Sequence, residues 1–351
     1  MLEHFLAFSP KSKWTKVKVK VIGQSGEVRT EFPKGNPWEY FLGELEDYGK
    51  NIFSDKRFGV DDVLILNSPS MFYLLYSKIA RIKKERRILI IWEPEVISTR
   101  NFNKLFLRNF GRIYAASYLW AKSVEGIQIG WPQTKFKDKN EVFTDWKNRD
   151  PNKLVIIQGN KFSSHPSELY SLRRKVLNSK LIASEINLYG TNWNSGIIVD
   201  AITWFKSYIR QGKVVPSLKT LGGIGKKYSN YLGQCEDKFE VLRNYRFCIV
   251  IENSADFVSE KLFDAVSMGC LPLYVGPNLL EFGYHIPNQL VCRNDVEDLF
   301  SKISQLKKLS DNELESLAIE TFELLKPFSE KMDSSKVLKL LGQDIAIFLN
   351  S

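Results

Sequence analysis

From Tyr245 to Ser254 the chain reads YRFCIVIENS, an apolar run that ends in polar residues. The next residues, ADFVSEKLFDA over Ala255–Ala265, pass from a polar loop into helical spacing, and Leu271–Val275 is a second apolar run. We therefore predict a buried strand, a loop, a helix that begins near Ser259 and another buried strand. Ligands of open α/β sheets bind at the carboxyl ends of the strands, and a helix start attracts phosphate. Lys261 stands at that start, where its charge can neutralise a diphosphate.

Alternating strand and helix patterns also fill the first part of the chain. The apolar runs rich in valine and isoleucine are Val17–Ile22, Val63–Leu66, Ile88–Trp92 and Ile113–Ala116. Segments with helical spacing, such as Trp38–Leu45 and Met71–Tyr76, lie between them. This order predicts buried parallel strands and a first Rossmann-like domain over residues 1–150.

A polar stretch over residues 135–153, which contains Pro151, predicts the linker between two domains. Further strands are predicted at Leu154–Gln158, Ile186–Tyr189, Phe247–Ile251, Leu271–Val275 and Gln289–Cys292, and helices at Pro166–Asn178 and Lys261–Met268. We expect a second Rossmann-like domain over residues 151–310 and a helical tail over residues 311–351. Two such domains around a central cleft resemble the α/β architecture of GT-B glycosyltransferases, although a fold alone establishes no activity.

Size, charge and cysteine content narrow the class of protein. A chain of 351 residues with a formal charge of +10 is long enough for two domains and attracts anions in general. The basic run Lys78–Arg87 is either a solvated helix face or a contact for a membrane surface. Met1–Phe8 lacks the apolar run of a signal peptide, so we expect a cytoplasmic protein, at most peripheral at the inner face of a membrane. The four cysteines have no metal-binding spacing and are expected to be reduced.

The donor-site segment carries a more specific resemblance. Glu252-Asn253-Ser254, then Val258–Phe263, then the Gly-x-x-Pro-x-x-x-Gly-Pro pattern over Gly269–Pro277 resemble the signature of the α-1,3/1,4-fucosyltransferases, glycosyltransferase family 10. The resemblance spans roughly residues 85–290 and is patchy outside the signature. Two departures stand out, because the loop before Glu260 is shorter than in the family and Phe257 stands where tyrosine is usual.

The resemblance implies an activity and a role for each domain. The implied donor is GDP-β-L-fucose, transferred with inversion to a saccharide hydroxyl, with an α-1,3 linkage expected. The first domain would bind the acceptor and the second domain the nucleotide sugar. The implied donor contacts are Lys261 to the phosphates, Glu260 to the ribose or the sugar, and Asn253 to the loop and nucleotide. Further donor-site residues are expected at Asn160, Tyr189, Gly190, Glu252, Phe257 and Val258.

The alternative for this segment is a plain strand-loop-helix in which Glu260 caps the helix and Lys261 is solvated. A second phosphate ligand is expected on the helix after Gln158-Gly159-Asn160, at Arg173 or Arg174, because the planar guanidinium can hold two phosphate oxygens. We favour Arg173. For either arginine, the alternative is an exposed side chain on an amphipathic helix.

Inverting transfer also needs a carboxylate that takes the proton of the acceptor hydroxyl. The predicted strand Ile88–Trp92 runs directly into Glu93-Pro94-Glu95, which puts acids at its carboxyl end. Glu93 is our choice for the base and Glu95 the alternative. Both could instead be solvated turn residues.

Three further expectations concern partners and rivals. The chain has no Asp-x-Asp motif, so we expect transfer without a metal ion or other cofactor. We expect no nucleic-acid partner. The rival hypotheses are a retaining or inverting GT-B enzyme that uses another nucleotide sugar, and a protein that binds glycans or nucleic acid without catalysis.

Overall fold

The structure, a computed structural model, describes residues 17–22, 28–29, 37–47, 50–52, 59–67, 70–210 and 223–350. Met1–Phe8, the basis of the signal-peptide prediction, lies outside these residues. The chain divides into two compact units: unit 1 is Met1–Ile90, Asn109–Arg112 and Leu338–Ser351, and unit 2 is Ile91–Arg108 and Ile113–Val337. The domain boundaries that we placed at residues 150 and 310 stay predictions.

Unit 1 is built around parallel strands. Its elements are β1 (Val17–Ile22), β2 (Val28–Arg29), α1 (Trp38–Asp47), β3 (Lys50–Ile52), β4 (Val63–Leu66), α2 (Met71–Ile79) and β5 (Arg87–Ile91), whose last residue falls in unit 2. β1 pairs in parallel with β3 and β4, β4 pairs in parallel with β5, and the short β2 is antiparallel to β1. All four residues of β4 are buried, as expected for a parallel strand covered on both faces.

Unit 2 contains a second, fully parallel sheet. The strands of unit 2 are β6 (Arg112–Ala115, of which Arg112 falls in unit 1), β7 (Ile127–Gln128), β8 (Asp150–Ile157), β9 (Ile186–Tyr189), β10 (Tyr231–Gly233), β11 (Tyr245–Ile251) and β12 (Leu271–Val275). The five-stranded sheet has the order β10-β9-β8-β11-β12, and every neighbouring pair in it is parallel. β6 pairs in parallel with β7. Every residue of β11 and β12 is buried, which places these strands in the core.

Helices lie between these strands and after the last of them. They are α3 (Lys104–Leu107), α4 (Tyr118–Ser123), α5 (Lys139–Phe143), α6 (Tyr170–Asn178), α7 (Ile197–Arg210), α8 (Lys238–Leu242), α9 (Lys261–Ser267), α10 (Val296–Leu306), α11 (Asp311–Lys331) and α12 (Ser334–Phe348). The last two confirm the predicted helical tail, and α11 begins with a capping box between Ser310 and Glu313. In the part of the chain that the structure describes, no helix combines the length and the apolar character needed to cross a membrane.

Three local predictions were wrong. The predicted linker contains α5, and β8 begins at Asp150 and runs through Pro151, where the pairing with β11 shifts in register. The helix predicted from Pro166 begins at Tyr170, because Glu168 accepts a hydrogen bond from the backbone N–H of Ser171 at 2.9 Å. The strand predicted at Gln289–Cys292 is a short 3-10 helix with a single β-bridge to Tyr274.

Candidate active site

The turn from β11 into α9 holds a chain of polar contacts around a buried acid. Glu252, directly after β11, is fully buried, and its carboxylate accepts hydrogen bonds from the backbone N–H (3.0 Å) and the hydroxyl (2.7 Å) of Ser259. The ammonium of Lys261 donates to the Ser259 hydroxyl at 2.7 Å and lies 3.5 Å from Glu252 Oε2. Glu260 occupies the N-cap position of α9 but makes no capping bond with its side chain. The alternative of a capping Glu260 and a solvated Lys261 is therefore wrong.

Glu93 follows the end of β5 in a turn that Asn101 holds, because its amide donates to the Glu93 carbonyl at 2.7 Å. Burial raises the pKa of the Glu93 carboxyl, and Glu260 raises it further, whereas the positive charges of Lys161 and Lys261 lower it. These four side chains of unit 2 therefore form one electrostatic cluster. The predicted base lies in this cluster as a carboxylate that is easier to protonate than an ordinary glutamate.

Glu95, the alternative base, has different surroundings. Its carboxylate lies 3.6 Å from His165 Nε2, and its side chain is 42% exposed. His165 Nδ1 and the Ser167 hydroxyl are 2.8 Å apart, which fixes the orientation of the imidazole. Glu95 is therefore a partly exposed carboxylate beside a histidine, whereas Glu93 lies near Lys161, Glu260 and Lys261. The assignment of the base to Glu93 stays a prediction.

Lys161 is a member of the cluster that we did not predict. It follows Gly159-Asn160 just beyond the carboxyl end of β8. The surrounding protein lowers the pKa of its ammonium by desolvation, and the Glu93 carboxylate raises it. A lysine in the loop after a predicted strand was the available signal, but the strand pattern alone does not say which loop residue comes close to Glu93.

Glu260 is an ionised acid among lysines. Burial by itself would raise the pKa of its carboxyl, but Lys261, its own backbone N–H, Lys238 and Lys161 outweigh that effect, so the pKa is lowered. Lys238 also pairs with Asp264 of α9 at 2.6 Å. The cluster therefore holds a carboxylate that can accept hydrogen bonds from hydroxyl groups.

Arg173 and Arg174 on α6 are both buried, so the alternative of an exposed arginine is wrong for each. Arg173 Nη2 donates to the carbonyls of Ile251 (2.7 Å) and Glu252 (2.9 Å) and to Asn253 Oδ1 (3.0 Å). Burial lowers the pKa of this guanidinium to about 10. Arg173 thus fastens the carboxyl end of β11, and a contact with phosphate stays a prediction.

Arg174 holds the loop after β8. Its Nη1 donates to the carbonyl of Lys161 at 2.7 Å and to Asn160 Oδ1 at 3.4 Å, and its guanidinium lies over the Phe162 ring. The Asn160 amide in turn donates to the Asn192 carbonyl at 3.0 Å. Asn160 and Arg174 therefore fix the backbone from which Lys161 projects.

Tyr189 ends β9, and Gly190 follows it beside this loop. Gly190 has φ +133°, and a Cβ there would lie 2.1 Å from the Gln158 carbonyl oxygen, so only glycine fits. Desolvation and a hydrogen bond with Tyr245 raise the pKa of Tyr189 to about 12. Both predicted residues border the turn after β8.

Phe257 and Val258 lie in the loop before α9, and both are buried. The Phe257 ring stacks on Trp120 at 4.4 Å between centroids and meets Trp131 edge-on at 4.8 Å. Trp131 in turn contacts Trp92, the neighbour of Glu93, at 5.9 Å. This buried aromatic layer gives Phe257 a packing role.

The structure also bears on metals and thiols. Among the described residues, no group of three His, Cys, Asp or Glu side chains is arranged to hold a metal ion. All four cysteines are free, as predicted, and three of them are buried.

Comparison with known proteins shows the fold. No family model matches the chain. The structure of Anabaena HepE in complex with UDP and glucose aligns with a TM-score of 0.53 and 11% identity, over 94% of this chain and 100% of that one. HepE in complex with UDP-glucose gives the same TM-score and identity over 94% and 99%. An α1,3-fucosyltransferase aligns with a TM-score of 0.49 and 11% identity over 96% and 90%.

At this level of identity the likeness establishes architecture. The chain has the α/β fold of the GT-B class, with two Rossmann-like domains and a C-terminal helical tail, as the sequence predicted. Function has to be argued from the side chains of the site.

Proposed function

We propose that this protein is a glycosyltransferase that moves L-fucose from GDP-β-L-fucose to a saccharide hydroxyl, with inversion and in an α-1,3 linkage. One observation carries the proposal: Glu93, whose pKa is raised, shares an electrostatic cluster with Lys161, Glu260 and Lys261. The segment that contributes Glu260 and Lys261 is the one that resembles the fucosyltransferase signature. The cluster thus offers both a base and cations for a leaving diphosphate.

The proposed reaction is one displacement. The acceptor oxygen forms a bond to the anomeric carbon of the sugar while its proton passes to the Glu93 carboxylate. The bond from that carbon to the diphosphate oxygen breaks, and its electron pair leaves with GDP. Lys161 and Lys261 stabilise the negative charge that develops on the diphosphate, and Glu260 accepts hydrogen bonds from donor hydroxyl groups.

The two lysines differ in how they are held, and this supports different roles. Lys261 is fixed by Ser259 and by the buried carboxylate of Glu252, which favours a preorganised contact to phosphate. Lys161 has no such fixed partner among the described side chains, although Arg174 holds its carbonyl. We therefore assign the fixed phosphate contact to Lys261, and to Lys161 a contact that forms as charge develops.

A second candidate is transfer from a UDP-sugar. The fold aligns with HepE, which was crystallised with UDP-glucose. The cluster itself recognises a diphosphate and does not distinguish guanine from uracil. In this case the scaffold, the base and the lysines would keep their roles, and the donor would change.

The test is nucleotide release from GDP-fucose, GDP-mannose, UDP-glucose and UDP-N-acetylglucosamine, each with EDTA and a panel of β-galactosides. We expect release from GDP-fucose that depends on the acceptor and is lost in Glu93→Gln and in Lys261→Met. Glu95→Gln is the matched control and should retain most activity. Turnover of a UDP-sugar alone would replace the fucosyl proposal with the second candidate, and tight nucleotide binding without turnover of any donor would favour a binding protein.

A further inference from the structure

Helix α2 of unit 1 exposes a row of large apolar side chains. Phe72, Leu75 and Ile79 are 70%, 54% and 73% exposed, and their spacing puts them on one face of the helix. The opposite face carries the buried Leu74 and Ser77. A soluble domain gains nothing from such a row unless another apolar phase covers it.

Basic side chains follow this row directly. Lys78, Arg81, Lys83 and Lys84 are all exposed, and none has a side-chain hydrogen bond or ion pair with another described residue. Glu85 is the one acid within residues 78–87. We call this apolar row, together with the four exposed cations that lie within and just after the helix, the α2 surface.

The remaining two arginines of the basic run have structural roles. Arg87 donates to the carbonyls of Ile82 at 2.8 Å and Asn109 at 3.1 Å, and Arg86 lies 3.5 Å from the Asp61 carboxylate. The basic run of the sequence thus separates into two arginines that hold the fold and four cations that face solvent.

We propose that the α2 surface docks on an anionic membrane, with Phe72, Leu75 and Ile79 between the lipid headgroups and the four cations on lipid phosphates. A second copy of the chain is a poorer occupant, because a self-complementary contact would bring the same cations against each other. Lipid offers both an apolar phase and negative charge to the same surface. The inference does not depend on the proposed function, since it concerns unit 1 and the candidate active site lies in unit 2.

The test is co-sedimentation of the full chain with vesicles of phosphatidylcholine and with vesicles that also contain phosphatidylglycerol. We expect binding only to the anionic vesicles, and less binding at high salt. Phe72→Ser with Leu75→Ser, and separately Lys83→Glu with Lys84→Glu, should each weaken binding at low salt by about tenfold or more. All four side chains are exposed, so the fold should persist, and circular dichroism checks it.

The control is Ile198→Ser with Ile202→Ser, which removes two similarly exposed apolar side chains from α7 of unit 2. This variant should bind anionic vesicles as the wild type does. No binding by the wild type, binding by both α2 variants as strong as that of the wild type, or loss of binding in the α7 variant alone would each overturn the proposal. A dimer in analytical ultracentrifugation that the α2 variants dissociate would overturn it in favour of a contact between copies.

Discussion

The protonation of Glu93 should control the acid limb of the pH profile. Burial raises its pKa, so we expect kcat/KM to fall, as the pH is lowered, at a higher pH than an ordinary glutamate would give. Lys161 lowers this pKa, so Lys161→Met should move the limb upward, whereas Glu260→Gln removes a negative charge and should move it downward, each by roughly one pH unit. The measurement is kcat/KM against pH for the three proteins. If both variants moved the acid limb in the same direction, the electrostatic cluster around Glu93 would be contradicted.

Replacing Glu93 should separate activity from stability. Glu93→Gln removes the base, and we expect kcat to fall by about two to four orders of magnitude. The pKa is higher in the folded than in the unfolded state, so the carboxyl contributes stability below its unfolded pKa and loses it as the pH rises through the folded value. At neutral pH the variant should therefore melt at a higher temperature than the wild type, and the gain should disappear at acidic pH.

The matched control for both measurements is Glu95→Gln. Its carboxylate lies beside His165 with 42% of its side chain exposed, so its removal should change the activity by less than about tenfold and leave the pH profile in place. A larger loss of turnover in Glu95→Gln than in Glu93→Gln would identify Glu95 as the base.

At the scale of elements, Arg173 joins α6 to the end of β11. Arg173→Met would leave two buried carbonyls and Asn253 Oδ1 without this donor, and we expect the free energy of unfolding to fall by about 2–4 kcal/mol. Lys175→Met, an exposed change on the same helix, is the control and should have little effect. Chemical denaturation measures both. A stable Arg173→Met protein with a raised donor KM would instead support the phosphate-ligand prediction.

How far the sequence predicted the elements depended on which physical signal decided each one. β11 and β12 were placed correctly because continuous burial on both faces demands an unbroken apolar run. The start of α6 was misplaced because it depends on Glu168 and Ser171, and β8 crosses Pro151 because a register shift accommodates the missing donor. The hydrogen bond and the register shift depend on tertiary contacts, which the periodicity of apolar residues in the sequence does not predict.

The site was predictable to a similar extent. Lys261 could be found because it stands at the start of a helix after a buried strand, and Glu93 because it follows the end of another strand. Lys161 was missed, since only the folded chain brings the loop after β8 close to Glu93. The burial of Arg173 was missed for the same reason, because its acceptors lie on a distant part of the chain.

In the molecule as a whole, every residue of the candidate site belongs to unit 2. A nucleotide bound there should stabilise unit 2 selectively, by about 2.7 kcal/mol at a concentration near 100 times its dissociation constant. We expect hydrogen exchange at the buried amides of β11 and β12 to slow by up to about hundredfold with GDP, while amides of β4 in unit 1 keep their rates. Lys261→Met should abolish the effect at the same GDP concentration. Equal slowing in β4 would contradict the assignment of the whole nucleotide site to unit 2, because an amide in unit 1 gains protection only if binding stabilises that unit too.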